Sequence, residues 1–210
     1  RATLVDAIRN ENPNTLLLDA GDMFQGTPYF NFYGGELEFK LMNLLKYDAA
    51  TIGNHEFDNG VGGLAKQAPI AKFDIITANY DFKNTLMDGF TKPYKVYVKD
   101  GIKIGVFGVG IKLAGLVNKR EYGETIWHHP VEMAQDMSRI LREEEKCDLV
   151  ICLSHLGFKY TNEDLTSDLD LAAQTKGIDL IIGGHTHTFL DQPVVMKNAE
   201  GKDVIVNRAG

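Results

Sequence analysis

Four short apolar runs, each breaking into a polar turn, constrain the fold of this chain more than any other feature. Leu16-Leu17-Leu18 runs into Asp19-Ala20-Gly21-Asp22, and Asp48-Ala49-Ala50-Thr51-Ile52 runs into Gly53-Asn54-His55-Glu56-Phe57-Asp58. Leu149-Val150-Ile151-Cys152-Leu153 leads to Ser154-His155-Leu156-Gly157, and Leu180-Ile181-Ile182 leads to Gly183-Gly184-His185-Thr186-His187. Each run reads as a strand. In open α/β sheets ligands bind in the crevice beyond the carboxyl ends of the strands, so the four turns are expected at one rim. The Asp, Asn and His gathered there form a metal-ligand inventory.

Helical periodicity fills the intervals. Leu4, Val5 and Ile8 share one face of a first helix that Asn12-Pro13-Asn14 ends, and a strand is expected over 15–19. Leu37, Leu41, Leu44 and Leu45 predict a helix over 36–47, and 60–72 is a weaker one, interrupted by Gly62, Gly63 and Pro69. A strand is expected over 74–79. Lys99-Asp100-Gly101 separates 94–98 from 103–109 as a hairpin, so antiparallel pairing enters midway. Pro130 opens the clearest helix, over 130–146, a further helix is expected over 162–176, and 194–196 with 204–206 forms a second hairpin. The fold class is therefore α/β.

The bulk properties exclude several functions. With 210 residues and 44% hydrophobic content, the chain can bury a core as one domain. A net charge of −7 with no dense Lys/Arg cluster argues against a nucleic-acid polymer as partner, and a small anionic substrate would need a bound cation as its positive centre. The apolar runs are too short to span a membrane. Cys147 and Cys152 lie in no His/Asp-rich turn, and their spacing along an extended run directs them to opposite faces, so neither a disulfide nor a thiolate metal site is expected.

Four of the six histidines follow strand-like runs; His128 and His129, between Trp127 and Pro130, do not, and read as structural. In an extended segment His185 and His187 would face the same way, with two preceding glycines allowing a tight turn. The Asp22 carboxylate has two oxygens and could bind two cations, although beside Gly21 it could equally be a turn residue. Asn54 would offer a neutral carbonyl oxygen. Asp58, three residues after His55, could orient its imidazole and keep it protonated.

Gly21-Asp22-Met23-Phe24-Gln25-Gly26, Gly53-Asn54-His55-Glu56-Phe57-Asp58, Ser154-His155-Leu156-Gly157 and Gly183-Gly184-His185-Thr186-His187 stand in an order and spacing that resemble the calcineurin-like metallophosphoesterases. Among these the chain looks most like the catalytic domain of 5'-nucleotidases and UDP-sugar hydrolases. The resemblance implies a four-layer α/β/β/α sandwich with mixed sheets and two divalent metal ions. Asp22 would bridge them, Asn54, His155 and His185 would complete the second site, and His187 would serve the first. His55 and Asp58 match the catalytic pair, and Asn54 and His55 would face the substrate phosphate. Asp19 and Glu56 match motif positions in supporting roles, and Asn79 reads as structural. The mixed N/O donors suit Zn, Mn, Fe or Co.

The expected reaction is hydrolysis of a phosphate monoester, nucleoside 5'-monophosphates above all. The alternatives are a phosphodiesterase or pyrophosphatase acting on cyclic nucleotides or nucleotide sugars, and a metal-binding domain without turnover. The family also carries an Asp-x-His motif before the first helix, which is not found in these residues. Residues 1–210 are accordingly expected to be one catalytic domain truncated at both ends, holding one metal well and the other poorly. A nucleobase-stacking domain is not recognisable, and the resemblance favours a periplasmic or extracellular enzyme.

Overall fold

The computed structural model describes residues 1–162 and 164–208. Helix α1 (Ala2–Glu11) leads to strand β1 (Leu18–Asp19), then helices α2 (Pro28–Tyr33) and α3 (Glu36–Leu45) and strand β2 (Ala49–Ala50). A 3-10 turn at His55–Phe57 precedes α4 (Gly60–Gln67), β3 (Asp74–Ile75) and β4 (Tyr80–Asp81). The hairpin β5 (Tyr94–Lys99) and β6 (Ile102–Gly110) is followed by α5 (Lys119–Tyr122), β7 (Ile126–Trp127) and α6 (Pro130–Arg139). The chain closes with β8 (Leu149–His155), α7 (Asp168–Gln174), β9 (Leu180–Gly183), β10 (Val194–Lys197) and β11 (Asp203–Arg208).

The strands form a parallel sheet in the order β1-β2-β3, a mixed sheet in the order β10-β11-β9-β8-β6-β5, and a small β4-β7 ribbon. In the larger sheet the inner four strands are parallel, and β5 and β10 close the edges antiparallel. Asp100 and Gly101 both have positive φ, 52° and 81°, which suits the tight turn between β5 and β6.

Three apolar clusters mark the contacts between four layers. Phe39 and Met42 of α3 pack with Ala50, Ile52 and the rings of Phe24, Phe30 and Phe73 on the outside of the small sheet. Ala49, one residue from Ala50 and so on the opposite face, joins Ile76, Val106 and Leu153 between the two sheets. Phe107, Val150 and Cys152 then meet Ala134, Met137 and Leu141 of the α6 segment and Leu171 of α7 on the far side. This is the α/β/β/α sandwich, and it directs the C-terminal ends of β1, β2, β8 and β9 to one rim.

Some elements differ from expectation. The strand over 15–19 narrows to two residues, because the Leu17 N–H donates to the Asp48 carboxylate (2.8 Å) rather than to a neighbouring strand. The strand over 74–79 likewise shortens to Asp74–Ile75. The helix over 130–146 ends its α portion at Arg139 and widens into a π-turn over Ile140–Glu144, where the Glu145 N–H bonds Ile140 O. The helix expected over 162–176 begins only at Asp168, where Ser167 and Asp170 form a reciprocal cap; Glu163 lies outside the described residues. Helix α2 stands where the apolar spacing predicts no element: Pro28 opens it, Gly34 in the left-handed region (φ 56°) closes it, and buried Phe30 anchors it. Cys147 and Cys152 are free, as expected, and both are buried, although Cys147 precedes β8 rather than sharing its strand.

Candidate active site

Asp22 sits at the centre of the rim. Its backbone is left-handed (φ 60°), an uncommon conformation for a residue with a side chain, and its carboxylate is engaged on both sides. Oδ1 accepts from the His55 N–H at 2.9 Å, and Oδ2 lies 3.0 Å from His155 Nε2. Close approach of the two loops requires Gly53, where a Cβ would stand 2.3 Å from Asp22 Oδ1. Burial opposes the Asp22 charge, but His155 and His55 outweigh it and hold the carboxyl below its ordinary range.

Glu56 locks this geometry. The residue is fully buried, and its carboxylate accepts from Asp22 N–H (2.9 Å), Phe24 N–H (3.0 Å) and Gly53 N–H (2.6 Å), tying the loop after β1 to the loop after β2. Burial and then the Asp22 charge push its carboxyl up to about 7, against these donors, which bind the ionised form. Asp19 accepts from the Gly21 N–H at 3.0 Å and shapes the same turn.

His155, at the end of β8, is buried. Its Nδ1 lies 2.7 Å from the Ala20 carbonyl, which can only accept, so Nδ1 carries a proton. Among the described residues Nε2 makes no hydrogen bond despite its proximity to Asp22, and buried Asn54 Oδ1 likewise has no partner. Buried polar atoms are ordinarily satisfied, and an imidazole nitrogen this close to a carboxylate is accommodated either by a proton, which burial opposes but Asp22 favours by raising the His155 pKa, or by a cation that both groups share. His185 completes the arrangement, its ring 5.1 Å from that of His155 and edge-on. Burial, then the neighbouring His155, lower the His185 pKa to about 4, keeping a neutral nitrogen available as a ligand. Ligand atoms of Asp22, His155 and His185 lie within 4.8 Å of one another, forming the one such group of three among the described residues. These donors fit a divalent metal ion of borderline softness.

His187 stands outside that three-residue group. The expected alternation of an extended segment fails here, because His185 (φ 78°) and His187 (φ 49°) are both left-handed. His128 and His129 are exposed, and neither joins the group. Asn79 is fully occupied within the core, exchanging two 2.7 Å hydrogen bonds with the Gly110 backbone, in keeping with a structural role.

His55 follows Asn54 in the 3-10 turn that brings Asp58 around to it. Its Nδ1 lies 2.8 Å from Asp58 Oδ2, and its side chain is 41% exposed, so the imidazole stands at the mouth of the site with one nitrogen held by a carboxylate. Burial disfavours the imidazolium, yet Asp58, Asp22 and Glu56 together raise the pKa. Sequence reasoning gives no role to Gln25, whose Nε2 donates to the same Asp58 oxygen at 2.8 Å. Gln25 is left-handed (φ 74°), a placement with no signal in the residue type. The Ala20 carbonyl, a backbone atom, is equally illegible.

Comparison with known proteins gives a consistent picture. A family description of calcineurin-like phosphoesterases matches residues 1–189. The trifunctional nucleotide phosphoesterase protein YfkN of Bacillus subtilis is 36% identical over 95% of this chain and 15% of its own length. Snake venom 5'-nucleotidase of Crotalus adamanteus is 34% identical over 100% of this chain and 37% of its own. In three dimensions the chain is similar to a 5'-nucleotidase precursor from Thermus thermophilus, with a TM-score of 0.89 and 36% identity, over 99% of this chain and 42% of that one. The chain thus spans less than half the length of these relatives. No helix among the described residues is long and apolar enough to cross a membrane.

Proposed function

The chain belongs to the calcineurin-like phosphoesterase family, and from that premise we propose that residues 1–210 act as one catalytic unit hydrolysing phosphate monoesters of nucleosides. Nucleoside 5'-monophosphates are the favoured substrates, in keeping with the 5'-nucleotidases among its relatives. The observation that carries this reading is a carboxylate-held imidazole, His55 with Asp58, standing beside His155 Nε2 and Asn54 Oδ1, two buried polar atoms without a hydrogen-bond partner among the described residues.

The family implies divalent metal ions; the number, two, and the identity, among Zn, Mn, Fe and Co, are part of the proposal. Asp22, Asn54, His155 and His185 would hold one ion, and Asp22 with His187 would contribute to the other. When bound, such ions lower the pKa of water and neutralise charge on phosphoryl oxygens. The protein's own residues supply position. Glu56 fixes the backbone on either side of Asp22, and the Ala20 carbonyl fixes the tautomer of His155. Asp58 holds Nδ1 of His55, so that the other ring nitrogen can donate to a phosphoryl oxygen or to the departing alkoxide. Asn54 lies beside His55, where its amide can meet the same phosphate.

The second reading, a diesterase acting on cyclic nucleotides or nucleotide sugars, is kept open by the likeness to a trifunctional nucleotide phosphoesterase. Hydrolysis of adenosine 5'-monophosphate to adenosine and phosphate, of a cyclic nucleotide to a nucleoside monophosphate, and of a nucleotide sugar to a nucleoside monophosphate and a sugar phosphate, each followed by chromatography of the organic products and compared by kcat/KM, separates the two. The monoester is expected to lead by at least tenfold; a lead for either diester reverses the assignment. The likeness to a venom enzyme supports an extracellular or periplasmic setting.

A further inference from the structure

Behind the loops that carry His155 and His185 lies a buried charge pair that the proposed chemistry does not use. Arg208 on β11 and Asp168 at the start of α7 have side chains 1% and 0% exposed, with Nε and Oδ2 3.7 Å apart. The parallel register sets Arg208 opposite Gly183 of β9, where a Cβ would stand 2.1 Å from Asp168 Oδ2. Gly183 therefore leaves the gap through which the helix carboxylate meets the strand guanidinium.

Each member of the pair reaches one ligand loop. Asp168 Oδ1 accepts from Ser154 Oγ at 2.5 Å, one residue before His155, and the Asp168 N–H donates to Gly157 O at 2.7 Å, two residues after it. Arg208 Nη1 donates to Thr186 Oγ1 at 2.6 Å, and Thr186 lies between His185 and His187. The same Thr186 oxygen accepts from the Phe158 N–H at 3.0 Å, which ties the loop after β9 to the loop after β8.

As a source of stability the pair is poor. Arg208 Nε and Nη2 and Asp168 Oδ2 are buried without hydrogen-bond partners among the described residues, and well-packed apolar residues commonly serve a core as well or better than a buried ion pair. What it does secure is the peptide on both sides of Thr186, where His185 and His187 both hold left-handed φ values that non-glycine residues keep only when their surroundings over-determine them. We infer that Asp168 and Arg208 are positioning residues, which through Ser154 on one side and Thr186 on the other set the spacing at which His155 and His185 share a metal ion. This rests on the metal-site reading above.

The test uses the full-length protein with cobalt(II) as probe. It reads the dissociation constant, the visible absorption spectrum of the bound ion and the melting temperature without metal. Thr186→Val, which removes one hydroxyl and leaves the charge pair in place, and Arg208→Lys, which keeps the charge but loses the guanidinium fork, should each weaken cobalt binding about 10- to 100-fold and shift the spectrum. Thr186→Ser, which keeps the hydroxyl, should restore both. Unchanged affinity and spectrum in Thr186→Val, whatever its melting temperature, would overturn the inference. His185→Ala is the separate control: if it binds cobalt like the unaltered protein, the metal-site reading fails first and this inference with it.

Discussion

The two halves of the rim are held in place by different means. On the β1–β2 side a single carboxylate, Glu56, accepts three backbone N–H groups from two loops, so that one buried charge is met by dipoles fixed in the backbone. On the β8–β9 side the support is an ion pair in which two nitrogens of Arg208 and one oxygen of Asp168 make no hydrogen bond among the described residues. The first arrangement leaves neither carboxylate oxygen unmet, so removing the group would strand three backbone donors, even though burial and Asp22 oppose its charge. The second contributes orientation with little net stability, because desolvation of the pair consumes most of its attraction.

Glu56→Gln tests the first half of this contrast. The amide introduces an NH₂ among N–H donors and removes the charge they stabilise, so the expected loss is about 3 kcal/mol, or a fall in melting temperature of roughly 6–12 °C for a chain of this size. Ser154→Ala tests the second half. It takes one hydrogen bond from Asp168 Oδ1, and the expected loss is about 1 to 2 kcal/mol. Chemical denaturation of both variants ranks them directly. If Ser154→Ala costs as much as Glu56→Gln, the β8–β9 support is a principal source of stability and the contrast collapses.

The same contrast separates what could be read in the sequence from what could not. The carboxylate support is local: Glu56 sits three residues after Gly53 and two after Asn54, inside one motif. The ion pair joins positions 168 and 208, and nothing in the periodicity of either segment connects them, because the link runs through strand register and the absent side chain of Gly183. Strand-to-turn boundaries are legible because apolar runs end abruptly, and Asp22, His155 and His185 do meet at the rim those boundaries define. The alternation argument for His187 fails because it presumes extended backbone, whereas left-handed residues are set by tertiary contacts. Helix α2 escapes notice because its aromatic residues, three of them exposed, follow no helical apolar spacing. The late start of α7 is within reach, since Ser167 and Asp170 spell a capping box.

The most direct test of the central claim is the turnover of adenosine 5'-monophosphate by His55→Ala, measured alongside its bound metal. His55 touches Asp22 only through its backbone N–H, which the substitution retains, and its ring is held by Asp58 rather than by the metal-ligand group. The account predicts a fall in kcat of about 10² to 10⁴ with metal content unchanged. Loss of metal in parallel with activity would make His55 a ligand, and unchanged kcat would remove it from the chemistry altogether.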